Sequence, residues 1–142
     1  MQKRILILCT GNSARSQMAE GLLKSFDSTL DVFSAGTAPA LKVNLFAVKV
    51  MREIDIDISD YQPKSVDQFI SQPFDYVITV CDNAKETCPV FVGKVRHRLH
   101  LGFADPAEAR GTEVEVTEVF RRIRDEIRSA FHTFYTQTIT RD

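Results

Sequence analysis

The chain has 142 residues, 44% of them hydrophobic and 26% charged, with a formal net charge of -1. That suits one ordinary domain with one sizeable core, and we expect a single domain over residues 1–142. The near-neutral balance argues against a nucleic-acid or membrane surface, and no apolar run approaches the roughly 20 residues that span a bilayer. Ile5 to Leu8 is too short for the apolar core of an export signal, and no small-residue cleavage site follows it. The expected compartment is therefore the cytoplasm. An odd count of three cysteines there argues against a structural disulfide framework and leaves inert core thiols, metal ligands or redox groups.

Ile5-Leu6-Ile7-Leu8 is a continuous apolar run, the pattern of a strand covered on both faces. Cys9-Thr10-Gly11-Asn12-Ser13 has the composition of a loop, and Ala19, Leu22, Leu23 and Phe26 then recur at helical spacing. Val32 to Ala35, closed by Gly36, reads as a second strand. Phe46, Ala47, Val50, Met51 and Ile54 line one face of a second helix. Ser65 to Ile70 reads as a short helix, with Pro63 suited to a first turn. Tyr76 to Val80 is a third strand, and Val95 to Leu101 a weaker, alternating fourth. Thr112 and Glu115 form a capping-box pair, followed by the stripe Val116, Val119, Phe120, Ile123, Ile127, Phe131 and Phe134. Arg121, Arg122, Arg124, Asp125, Glu126 and Arg128 fall mostly off that stripe, as a solvated face would. Strands alternating with helices imply a three-layer α/β fold, with a four-stranded parallel sheet and helices on both faces. Ligands bind such sheets beyond the carboxyl ends of the strands. Cys9, Cys81 and Asp105 each follow a predicted strand, which places all three at one edge.

Cys9-Thr10-Gly11-Asn12-Ser13-Ala14-Arg15-Ser16 is a Cys, five residues, then Arg and Ser, between an apolar strand and an amphipathic helix. A loop entering a helix turns backbone N–H groups inward, and the helix N-terminus favours negative charge, so residues Thr10 to Arg15 can bind an oxyanion. Gly11 and Asn12 tolerate the left-handed backbone that curls such a loop. Arg15 offers a planar fork for two oxygens of a tetrahedral dianion. The same field favours Cys9 as a nucleophilic thiolate, and Ser16 can add a hydroxyl hydrogen bond to its sulfur.

Leu8 to Gly21 closely resembles the active-site segment of arsenate reductases built on the low-molecular-weight tyrosine phosphatase fold. The resemblance continues through Ser34-Ala35-Gly36, Ile56-Asp57-Ile58-Ser59, Val80-Cys81, Cys88-Pro89 and Gly102-Phe103-Ala104-Asp105-Pro106. It implies Asp105 as the acid that protonates a leaving oxygen, a role shared with the phosphatase branch. Phosphatases of the family carry aromatic residues after the Asp-Pro pair, whereas Ala107-Glu108-Ala109-Arg110-Gly111 follows here. Cys81 and Cys88 match the resolving cysteines of thioredoxin-coupled reductases, which a phosphatase does not need. The resemblance thus implies reduction of arsenate to arsenite by Cys9, then a Cys9–Cys81 and finally a Cys81–Cys88 disulfide. Thioredoxin would supply the electrons with no bound cofactor, and phosphate or sulfate would compete for the loop. A low-molecular-weight tyrosine or small-phosphoester phosphatase is the alternative. A non-catalytic redox or oxyanion sensor is a third reading, against which Cys9, Arg15 and Asp105 together count.

Asp82 is a plausible cap and Asn83 to Thr87 could form a short helix. Seven positions of helix rise about 10.5 Å, beyond the roughly 4.4–6.8 Å that a disulfide allows between Cα atoms, so the segment should unwind on oxidation. Ala14 stands where many relatives have a second loop cysteine, which the relay does not use. Several relatives bind potassium beside the loop at positions matching Asn12, Glu20 and Ser34 plus an acidic residue. That last position falls on Lys64, whose ammonium we expect in place of the ion, steadying Asn12 and pairing with Glu20. His97, His100 and His132 show no metal-ligand spacing with the cysteines, and no metal site is expected.

Overall fold

The structure is a computed structural model that describes residues 2–82, 86 and 88–142. Its elements are β1 (Arg4–Cys9), α1 (Arg15–Phe26), β2 (Asp31–Gly36), α2 (Leu45–Arg52), β3 (Phe74–Thr79), β4 (Val95–His100) and α3 (Glu113–Phe134), with one-turn 3-10 helices at Val66–Gln68 and Pro106–Glu108. A π-turn over Tyr135–Ile139 extends α3. The four strands are parallel and lie in the order β2-β1-β3-β4. Strand order reverses beside β1, so the crevice at the carboxyl ends of β1 and β3 is the switch point where such sheets take ligands.

Alternation along β1 explains its unbroken apolar sequence. Ile5 and Ile7 face one core cluster, and Leu6 and Leu8 face another. All three α-helices feed the first cluster, through Met18 and Leu22 of α1, Val50 and Met51 of α2, and Phe120, Ile123, Ile127 and Phe131 of α3. The second face is covered more thinly, by Phe69 after the 3-10 turn and by Phe91. No helix among the described residues is long and apolar enough to cross a membrane.

The Thr112–Glu115 capping box forms as expected, with Glu115 N–H donating to Thr112 Oγ1 at 3.1 Å and Thr112 N–H to Glu115 Oε1 at 3.1 Å. Two expectations change. In place of a helix over Ser65 to Ile70 there is a single 3-10 turn, Val66–Gln68, capped by Ser65, and Pro63 precedes it rather than opening it. Arg124 is buried, not solvated, because α3 crosses the end of α2. Its guanidinium donates to the Val50 carbonyl at 2.8 Å and pairs with Glu53 at 2.9 Å. Arg121 pairs with the same carboxylate at 2.7 Å. Those two arginines hold the Glu53 carboxyl down to about 2, Arg121 contributing most.

Candidate active site

The last residue of β1 is Cys9, and the first of α1 is Arg15. Of the five residues between them, Thr10, Gly11, Ser13 and Ala14 wrap one end of a cavity of about 250 Å³, which Asp105 and Glu86 also line. Ala14 caps α1 without a side-chain hydrogen bond, and the first turn holds no acidic residue. The positive end of the helix is thus left for a ligand. Amides of Ala38, Ala40 and Asn44 donate to the carbonyls of Thr10, Gly11 and Ser13, at 3.0, 2.9 and 2.8 Å. A trans peptide sets its N–H opposite its carbonyl, so the N–H groups of Gly11 and Ala14 point away from that stretch. Both residues line the cavity.

Of the two residues expected to curl the loop, Asn12 adopts the left-handed conformation, at φ 51°, and Gly11 does not. That turn aims the Asn12 N–H at Cys9 Sγ, 3.3 Å away. Ser16 Oγ lies 3.1 Å from the same sulfur. Asn12 Nδ2 donates to Ser16 Oγ at 2.8 Å, which leaves the serine proton free for the sulfur. Cys9 is buried, as are Ser16 and Asn12. Arg15 is only 4% exposed. Burial opposes its charge, but a hydrogen bond to Glu86 and the charges of Asp105, Cys9 and Glu86 outweigh it and raise its pKa.

Asp105 lies 3.6 Å from Arg15 Nη2 through Oδ2. Its other oxygen accepts from Ala107 N–H at 3.0 Å, which caps the turn beginning at Pro106 and fixes the carboxyl over the cavity. No aromatic side chain lines this cavity among the described residues.

Behind the loop, Asn12 Nδ2 donates to Ser34 Oγ at 3.0 Å, and Ser34 donates to Glu20 Oε1 at 2.7 Å. Lys64 joins this group differently from expectation. Its backbone N–H, not its ammonium, reaches Asn12, donating to Oδ1 at 2.8 Å. Its Nζ donates to the Gln62 carbonyl at 3.0 Å and stands 4.0 Å from Glu20. The nearer cation on Glu20 is Lys24, at 2.7 Å. Glu20 and Lys24 are four apart on α1, a spacing that could have revealed the pair. Gln17 and Gly36 were also not foreseen. Gln17 Nε2 donates to the Asn12 carbonyl at 3.0 Å and to the Gln62 carbonyl at 3.0 Å. A Cβ on Gly36 would stand 2.3 Å from the Thr10 carbonyl oxygen, so the loop can rest on β2 only at a glycine.

Cys81 and Cys88 form a disulfide, with Cα atoms 5.7 Å apart, and Cys9 is free. The short helix expected over Asn83 to Thr87 lies outside the described residues, Glu86 excepted. Glu86 was not foreseen either: Oε2 accepts from Arg15 Nη1 at 2.6 Å and Oε1 from Nη2 at 3.1 Å. The Arg15 hydrogen bond chiefly holds its carboxyl below the usual range, against the cost of burial. Parallel pairing of Thr79 with His100 brings that histidine beside the cysteines, although sequence spacing showed no such link. The ligand atoms of Cys81, Cys88 and His100 lie within 4.8 Å of one another, but the disulfide uses both sulfurs and leaves one good donor.

The low molecular weight phosphotyrosine protein phosphatase family matches residues 4–142, and the chain belongs to that family. Within it, the chain is 48% identical over 134 residues to an arsenate reductase of Halalkalibacterium halodurans, covering 94% of this chain and 95% of that one. Two solved structures, an arsenate reductase in the phosphate-binding state and one in the oxidised state, superpose with TM-scores of 0.75 and 0.77. Each is 26% identical and covers 96% of this chain and 98% of its own.

Proposed function

We propose that the protein reduces arsenate to arsenite through Cys9, Cys81 and Cys88. One observation carries the reading: a Cys81–Cys88 disulfide stands beside a loop that holds a free Cys9 against Asn12 N–H and Ser16 Oγ. The phosphatase branch has no use for the first feature.

Arsenate would sit on the loop amides and Arg15. Cys9 thiolate attacks arsenic, and a hydroxyl leaves as water with a proton from Asp105. Cys81 thiolate then attacks Cys9 Sγ. The S–As bond breaks with its electron pair going to arsenic, which leaves as arsenite, and a Cys9–Cys81 disulfide remains. Cys88 thiolate attacks Cys81 Sγ, frees Cys9 as thiolate and forms the Cys81–Cys88 bond. A dithiol reductant of the thioredoxin class returns the pair to thiols. Asn12, Ser16, Glu20, Ser34 and Lys64 act by holding the loop. No bound cofactor is required in this scheme.

A phosphatase would use the same Cys9, Arg15 and Asp105 on an aryl phosphate, but among the described residues the cavity offers its ring no aromatic partner. The deciding experiment is multiple-turnover arsenate reduction with a thioredoxin system, run beside hydrolysis of a generic aryl phosphate. Sustained arsenite production with little hydrolysis is expected. Rapid hydrolysis without arsenite would overturn the assignment.

A further inference from the structure

The proposed relay ends in a disulfide between cysteines seven positions apart, and Glu86, which lies between them in sequence, lines the anion site. We propose that Glu86 is an internal anion which takes the Arg15 fork in the Cys81–Cys88 disulfide form, so that oxyanions bind weakly until the disulfide is reduced. The inference rests on the reading of the Cys9 loop as an oxyanion seat.

Three residues hold the carboxylate there. Each of its oxygens accepts from one terminal nitrogen of Arg15, at 2.6 and 3.1 Å. Thr10 Oγ1 donates to Oε1 at 3.2 Å, and the Asp82 N–H donates to Oε2 at 3.0 Å. An Arg–carboxylate fork has the same planar, two-point geometry as an Arg–oxyanion fork, so the two ligands compete for one set of donors. Arg15 has little to spare, since Nη1 also donates to the Phe103 carbonyl at 3.1 Å and Asp105 stands 3.6 Å from Nη2. With Asp105 and Glu86 both facing the guanidinium, a dianion entering the cavity also meets two carboxylates.

The disulfide decides where Glu86 stands. It closes the chain at Cys81 and Cys88, and Glu86 lies inside that loop, with its backbone N–H donating to the Asp82 carbonyl at 2.9 Å. Reduction removes the 5.7 Å restraint between the two Cα atoms and with it what fixes the carboxylate against Arg15. The consequence for the cycle is order: spent enzyme, whose Cys9 is free but whose resolving thiols are tied up in the disulfide, does not take up arsenate that it cannot reduce. Linkage makes the effect reciprocal, because an anion that displaces Glu86 must favour the reduced form by the same factor.

Inorganic phosphate is a redox-inert probe. Its affinity is to be measured by calorimetry for wild type, E86Q and E86A, each oxidised and reduced, with disulfide content checked by thiol titration. Oxidised wild type should bind about tenfold more weakly than reduced, the scale of losing one charge-assisted fork. Both substitutions should close that gap by tightening the oxidised form alone. Equal affinity of the two wild-type forms, or a gap that survives in both variants, overturns the proposal. If reduced wild type binds no phosphate at all, the failure lies with the oxyanion seat itself.

Discussion

The two cysteine-bearing ends of the sheet are built in opposite ways. The loop after β1 is held on every side: by Ala38, Ala40 and Asn44 at its carbonyls, by Gln17 and Lys64 at Asn12, and by Gly36 beneath it. Cys9 at its mouth is buried and keeps one set of neighbours. The segment after β3 is tied through its ends. Cys81 is fully buried, but Cys88 is half-buried and Val90, just beyond it, is 80% exposed. An oxyanion site gains from donors fixed before the charge arrives, whereas a resolving sulfur must change partners during the cycle. The proposed relay therefore asks for one cysteine held in place and a resolving pair that can change partners.

Breaking the rigid side has the largest effect. Cys9→Ser should lower arsenate reduction on the order of 10⁴-fold or more, since the nucleophile acts as a unit with its loop. Phosphate binding should survive, and calorimetry beside the kinetic assay checks both. A variant that loses phosphate as well would show that the sulfur holds the loop together rather than only attacking from it.

Breaking the movable side should leave the first event intact. Cys88→Ser should release one arsenite per chain and then stop, with a Cys9–Cys81 disulfide detectable by mass spectrometry of peptides. Unimpaired multiple turnover would remove Cys88 from the relay.

Asn12→Ala tests what the rigidity is worth. The substitution strips donors from Ser16 and Ser34 and an acceptor from the half-buried Lys64 N–H, and it puts alanine at φ 51°. Unsatisfied groups and the left-handed backbone together should cost about 2–4 kcal/mol, read as a lower midpoint in urea. Asn12→Gly isolates the amide, because glycine accepts the backbone without strain.

Much of this comparison could be read from the chain. β1 is apolar because both its faces are covered, and the capping box and the stripe of α3 fixed that helix to within a residue. The Cys9 loop was visible because its chemistry is local: strand, turn residues, arginine and helix follow one another. What escaped depends on contacts between distant segments. Arg124 read as solvated because nothing in α3 tells where Val50 and Glu53 will lie. His100 met the cysteines only through the β3–β4 register. Glu86 reached Arg15 across 71 positions, and no periodicity could have shown it.

The smallest effect concerns the cation behind the loop, where two lysines share Glu20. The carboxylate is 5% exposed, with Lys24 at 2.7 Å, Lys64 at 4.0 Å and the Ser34 hydroxyl on its remaining side. A potassium ion entering beside Glu20 would face two ammoniums, so replacing sodium by potassium should leave wild-type kinetics unchanged. Strong stimulation would show that Lys64 does not fill the ion's place. Burial lowers the Lys64 pKa most, Glu20 works against that, and Lys24 adds to it. A lysine whose folded pKa lies below its unfolded one is held charged at some cost. That cost is full below the folded pKa and fades as pH rises toward the ordinary lysine range. Lys64→Met should therefore change stability at neutral pH by less than about 1 kcal/mol, and in the stabilising direction if at all. Because Lys24 remains on Glu20, the Asn12 network should persist in that variant, with a potassium response as the new property to look for.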